Sequence, residues 1–102
     1  METYYKTSLN HSMTCGVKDL LEEKSCYWLM DAILSYQMYP KVRKEAFQSW
    51  KLSRVKKDKF LLTCDDGNGN ILAKQSIPFS DFPDDTCNIW LCDKVLLLPS
   101  EY

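Results

Sequence analysis

The chain has 102 residues, 45% apolar and 13% aromatic, and its 13 Lys and Arg face 14 Asp and Glu for a formal charge of −1. That length fits one domain, 1–102, with enough apolar surface for a core that needs no metal or disulfide. The composition excludes wholesale disorder, and no apolar run approaches the roughly 20 residues of a membrane-spanning helix.

The near-neutral total conceals three blocks. Residues 1–40 carry three cations and five acids, 41–59 eight cations and two acids, and 60–102 two cations and seven acids. The middle is basic and the end acidic. Met1 to Leu9 has no apolar core of a signal peptide, so the expected compartment is the cytoplasm. Five cysteines, an odd number, are then expected as reduced thiols.

In chain order, Tyr4 to Leu9 reads as a short strand or arm. Thr14 is placed to cap a first helix, in which Val17, Leu20 and Leu21 form one apolar stripe. Ser25 is placed to cap a second helix running to about Met38. Tyr27, Trp28, Leu29, Met30, Ala32, Ile33, Leu34 and Tyr36 make that helix apolar on most sides, as a central helix is. Pro40 ends it.

The period then changes from helix to strand. Ala46, Gln48, Trp50, Leu52 and Arg54 alternate with Phe47, Ser49, Lys51, Ser53 and Val55. Lys56-Lys57-Asp58 makes a turn, and Phe60 to Cys64 a second strand. Asp65 to Asn70 is the strongest turn signal, because Gly and Asn tolerate positive φ. Ile71 to Ile77 forms a third strand. A loop anchored by Phe79 and Phe82 follows, then Asn88 to Cys92 and Lys94 to Leu98 as a last strand or bulged pair. Helices first and strands after predict an α+β fold. Its N-terminal helical pair packs on a C-terminal antiparallel sheet of about four strands. The three tryptophans sit inside apolar patterns and read as core.

Few patterns call for catalysis. Cys87 and Cys92 have the wrong strand parity for one zinc ion, so no metal is expected. A calcium loop starting at Asp66 would need Gly at Ile71 and Glu at Ile77. Gly67-x-Gly69 precedes a strand and not a helix, so it is no phosphate cradle. His11 with Cys15 is the one conceivable nucleophilic pair, and a surface His near a helix start is the better reading. No cofactor is implied.

Two surfaces remain. Phe79, Asp81, Phe82, Asp84 and Asp85, with Asp93, form an acidic and aromatic set that could dock on a basic protein partner or simply close the sheet. Lys51, Arg54, Lys56 and Lys57 within 41–59 are the alternative, contacting nucleic-acid phosphates. Acidic strands beside the basic ones would cancel that charge. Tyr4, Tyr5, Tyr39 and Tyr102 lie at polar margins and suit exposed contacts. The apolar second helix also offers a patch for a homodimer.

Gly16-Val17-Lys18-x-Leu20, Tyr27-Trp28-Leu29-x-Asp31-Ala32-Ile33, Phe47-Gln48-x-Trp50-Lys51-Leu52, Asp66-Gly67-x-Gly69-Asn70, Ile77-Pro78-x-Ser80-Asp81-Phe82-Pro83 and Leu97-Leu98-Pro99-Ser100-Glu101-Tyr102 span nearly the whole chain. With them the sequence resembles a family of uncharacterised small domains met among bacterial chromosomal, plasmid and phage-like genes. The resemblance implies one compact domain and transfers no reaction. By analogy of size and charge, the expected function is a non-catalytic protein-binding module. One form is an inhibitor of host defence on a mobile element, of anti-CRISPR type, blocking a nucleic-acid-handling complex.

Overall fold

The computed structural model describes residues 4–6 and 11–102. Two short strands, β1 (Tyr4–Lys6) and β2 (Ser12–Thr14), precede the helices α1 (Cys15–Glu23), α2 (Tyr27–Ser35) and α3 (Pro40–Arg43). The strands β3 (Phe47–Lys56), β4 (Lys59–Asp65), β5 (Ile71–Ile77), β6 (Thr86–Cys92) and β7 (Val95–Leu97) follow. All belong to one sheet in the order β1-β2-β7-β6-β3-β4-β5. The α+β class and the N-terminal helices are as expected, but the sheet has seven strands and not about four. The difference lies in β1, β2 and β7, each three residues long and too short to display a period. The β2–β7 pair is parallel, with Met13 opposite Leu96. The other pairs are antiparallel.

The helices differ from expectation at their ends. Thr14 does cap α1, its Oγ1 accepting the Val17 N–H at 3.2 Å. Ser25 does not cap α2. It occupies a left-handed turn at φ 52, and α2 begins at Tyr27 without a side-chain cap. This helix ends at Ser35 and tightens into a 3-10 turn over Tyr36–Met38. Pro40 interrupts the helical run but also opens α3, at a position where a missing N–H costs nothing.

Strand alternation sorts the sheet into two faces. Trp50 and Leu52 of β3, Phe60, Leu62 and Cys64 of β4, and Cys87, Ile89 and Leu91 of β6 are buried. They share one core with Val17, Leu21, Leu29 and Ile33 of the helices. The opposite positions, Lys51, Asn88 and Lys74, are exposed. Register puts Asn88, Lys51, Thr63 and Lys74 side by side across four strands. Helices thus cover one face and leave the other polar, an arrangement antiparallel sheets allow. Trp50 is core as expected, and Trp28 is partly buried against it. Trp90 is not. It stands on the open face against Phe47 and Tyr102, at ring separations of 5.2 and 5.4 Å.

The last turn, Pro99–Glu101, ties the chain ends together. The Glu101 carboxylate accepts from Thr14 Oγ1 at 2.6 Å and from the Leu98 N–H at 2.9 Å. A Cβ at Gly16 would come within 2.5 Å of that carboxylate, so any larger residue there would push the Glu101 side chain out of this position. An acid at a helix amino end is also favoured by the helix dipole. Replacing Glu101 by Ala should lower unfolding stability by about 1–2 kcal/mol in urea titration. Gly16→Ala should destabilise the parent chain. In the Glu101→Ala background it should be neutral or stabilising, because Ala then contributes only its better helix propensity.

Candidate functional site

The acidic loop is largely engaged within the fold. Phe82 is 2% exposed and meets Phe60 edge-on at 6.0 Å. Asp84 pairs with Lys24 at 3.3 Å, and Asp85 with Arg54 at 2.9 Å. Asp93 lies at the opposite end of β6, in the turn to β7. A six-residue acidic and aromatic set is therefore not assembled. Phe79, at 72%, and Asp81 are exposed in the loop without an ion-pair partner among the described residues, whereas Asp84 and Asp85 are exposed but paired.

The basic block divides as well. Arg54 faces the loop and forms its main clamp. Its guanidinium donates to the Asp85 carboxylate, to the carbonyls of Phe82 (2.9 Å) and Asp84 (3.2 Å), and to the Lys57 carbonyl. The same group lies 4.7 Å from the centre of the Phe60 ring. Four of the five guanidinium N–H groups are thus used inside the fold, so Arg54 acts chiefly as a positioning residue. Lys51 stands apart on the open face, opposite Asn88 and Thr63.

Around the β3–β4 turn the remaining lysines collect. Lys56 and Lys59 are cross-strand partners, and Lys57 follows in the turn at φ 49. All three are exposed, and none forms an ion pair among the described residues. Like charges directly opposite one another destabilise a strand pair. The acidic strands do not cancel them: β6, the other neighbour of β3, carries no charged residue. The loop adds its aromatic residue to this cluster. Ser80 N–H donates to the Asp58 carbonyl at 2.9 Å, and the Ser80 Oγ accepts from Phe82 N–H. Phe79 and Pro78 then share a shallow pocket of about 210 Å³ with Lys56, Lys57, Lys59 and the acid between them, Asp58. Sequence reading separated Phe79 from the lysines and passed over Lys59, because about 20 residues intervene between turn and loop. The one signal was the basic doublet itself.

Other chemistry finds little support in the geometry. His11 is buried beside a cavity at the far end of β3, whereas Cys15 is exposed at the first residue of α1. All five cysteines are free thiols. Burial pushes the Cys64 and Cys87 thiols up to about 12, which suits packing and not nucleophilic attack. No group of three or more His, Cys, Asp or Glu among the described residues stands ready for a metal ion. The Asp65–Asn70 run closes on itself as a hairpin loop, Asp66 accepting from Asn68 N–H, Asn70 N–H and the Asn70 amide. Among the described residues, no helix is long and apolar enough to cross a membrane. Tyr39 and Tyr102 are exposed at 60% and 80%, as expected of contact residues, and the Tyr4 side chain lies outside what the structure describes.

A family model matches residues 1–102, that of a family of unknown function, DUF6876. No curated protein and no solved structure matches the chain.

Two outcomes follow from this geometry. Arg54→Lys should cost about 1–3 kcal/mol, because an ammonium cannot serve four acceptors spread over turn and loop. Thermal unfolding would register it, and amide exchange should rise at both Asp58 and Ser80. The second concerns alkaline pH. Cys64 and Cys87 keep their protons in the folded chain and lose them near 9 when unfolded. Stability should be full below pH 9 and fall on the order of 1 kcal/mol per pH unit per thiol above it, until about 12. Urea titrations across that range check the sign.

Proposed function

The chain belongs to this family of unknown function, and we propose that it is a small non-catalytic binding module whose contact surface is the lysine tip, taking up single-stranded nucleic acid. The observation that carries the reading is the cluster of Lys56, Lys57 and Lys59 around exposed Phe79, with Asp58 as its one acid and no ion pair to any of the three among the described residues. Cations track phosphates, and an exposed ring lets a base stack without regard to sequence. Arg54 and Ser80 fix turn to loop beforehand, so little ordering remains for the moment of binding. Lys51 and Lys74 continue the basic track along the open face, among Ser49, Ser53, Thr63 and Asn88. The site residues are thus Lys56, Lys57, Lys59 and Phe79, with Lys51 and Lys74 in support.

A second reading keeps a protein partner, including an inhibitory role against a nucleic-acid-handling defence complex on behalf of a mobile element. Exposed Phe79 next to exposed Asp81 favours it, since an aromatic anchor serves a protein pocket equally well. Asp84 and Asp85 are exposed beside them, with their charge partly met by Lys24 and Arg54.

Fluorescence anisotropy with a labelled oligothymidylate separates the two. Binding should weaken about five- to tenfold in Lys57→Glu and in Phe79→Ala, and little in Asp81→Lys. Log affinity should fall against log salt with a slope of about −2, for roughly three released counterions. Absence of binding at low salt would remove the nucleic-acid reading and leave the protein partner.

A further inference from the structure

A second feature lies at the opposite end of β3, ten residues and about 30 Å from the lysine tip. A cavity of about 510 Å³ opens there between the 3-10 turn, the α3–β3 connection and the β6–β7 turn. That volume falls in the range of small-molecule sites. We propose that it binds a small oxyanion, a phosphate or carboxylate carried on a compact apolar body.

The floor is built and rigid. The Gln37 and Gln48 carboxamides are 4% and 2% exposed and bond each other reciprocally, at 2.8 and 2.9 Å. Gln48 also donates to the Val42 carbonyl and accepts from Trp50 Nε1. The pair has every polar atom satisfied, so it cannot rotate to fill the space above it. Buried Leu91 and the methyl of Ala46 provide the apolar part of the lining.

The rim is charged and uncommitted. Arg43, Lys44 and Lys94 line the cavity with His11, Glu45 and Asp93, and among the described residues no side chain of Arg43, Lys44, Glu45, Asp93 or Lys94 has an ion-pair or hydrogen-bond partner. Cations outnumber acids, which favours an anion. A guanidinium presents paired N–H groups that fit a phosphate or carboxylate. The rim is also held in a fixed shape. Asp93 and Lys94 both have positive φ, 49 and 68, in a two-residue turn where the second position ordinarily takes glycine. Their backbone is fastened on both sides, Asp93 N–H to the Ala46 carbonyl and the Lys94 carbonyl to Ser12 N–H. Positive φ at both positions is what a two-residue hairpin turn requires, and the two backbone bonds hold Asp93 and Lys94 in place at the cavity rim.

Titration of the full chain with phenyl phosphate, benzoate and inorganic phosphate, followed by amide NMR shifts, tests this. Saturable shifts should centre on Ala46, Asp93 and Lys94. At least one aromatic anion should bind about tenfold tighter than inorganic phosphate, reflecting contact with the apolar part of the lining, Leu91 and Ala46. Arg43→Gln and Lys94→Gln, both on the surface, should each weaken it at least about threefold. Lys57→Glu should leave it unchanged, which keeps the result independent of the lysine tip. Shifts that do not saturate, that map to the tip, or that persist equally in both Gln variants would overturn the proposal.

Discussion

The helices cover one face of the sheet, and every other property of the molecule follows from that asymmetry. Because a strand alternates its side chains, β3 must send Gln48, Trp50 and Leu52 inward and Phe47, Ser49 and Lys51 outward. Its neighbours in register must do the same. The apolar half of each strand then joins Val17, Leu21, Leu29 and Ile33 in one core. The polar half is left to water and to partners. At one end the C-terminal turn folds across the open face, placing Tyr102 on Trp90 and Phe47. Glu101 uses the same turn to reach α1. The two ends of the chain stabilise each other through that carboxylate and through the parallel β2–β7 pair.

Charge in this protein is spatially sorted and only partly neutralised. Two of the acidic loop's three carboxylates are paired within the fold, with Lys24 and Arg54. The same Arg54 holds the basic turn in place by its backbone. Loop and turn are therefore one construction: an arginine that a sequence reader assigns to phosphate binding instead presents its lysine neighbours. Keeping Lys56 opposite Lys59 is offset among the described residues only by the nearby Asp58, and an outside anion would offset the rest.

Much of the fold was legible because its signals are local. The Val17, Leu20, Leu21 stripe, the Thr14 cap, the alternation of β3 and the Asp-Gly-Asn loop each act over a few residues. Errors fell where local signals compete or vanish. Ser25 looks like a cap, but it takes the left-handed turn that lets α2 fold back on α1. Trp90 sits in an apolar run, yet strand parity turns it outward, and only the register with Ser49 and Leu97 reveals which way. Phe79 and Phe82 look equivalent in sequence. Two residues of loop separate a buried anchor from an exposed ring.

By itself the sequence determined the fold class, the order of the long elements, the three charge blocks and the absence of a recognisable catalytic motif, because composition and short-range periodicity encode them. Tertiary structure alone decided what those blocks do. Pairing β3 with uncharged β6 leaves the central lysines unneutralised. Docking of the 78–83 loop on the β3–β4 turn, through Ser80 and Asp58, brings an aromatic ring to them. Folding α3 beside the β6–β7 turn encloses the charged cavity. Each is a contact between segments distant in the chain, and electrostatic energy depends on distances that only the folded state sets.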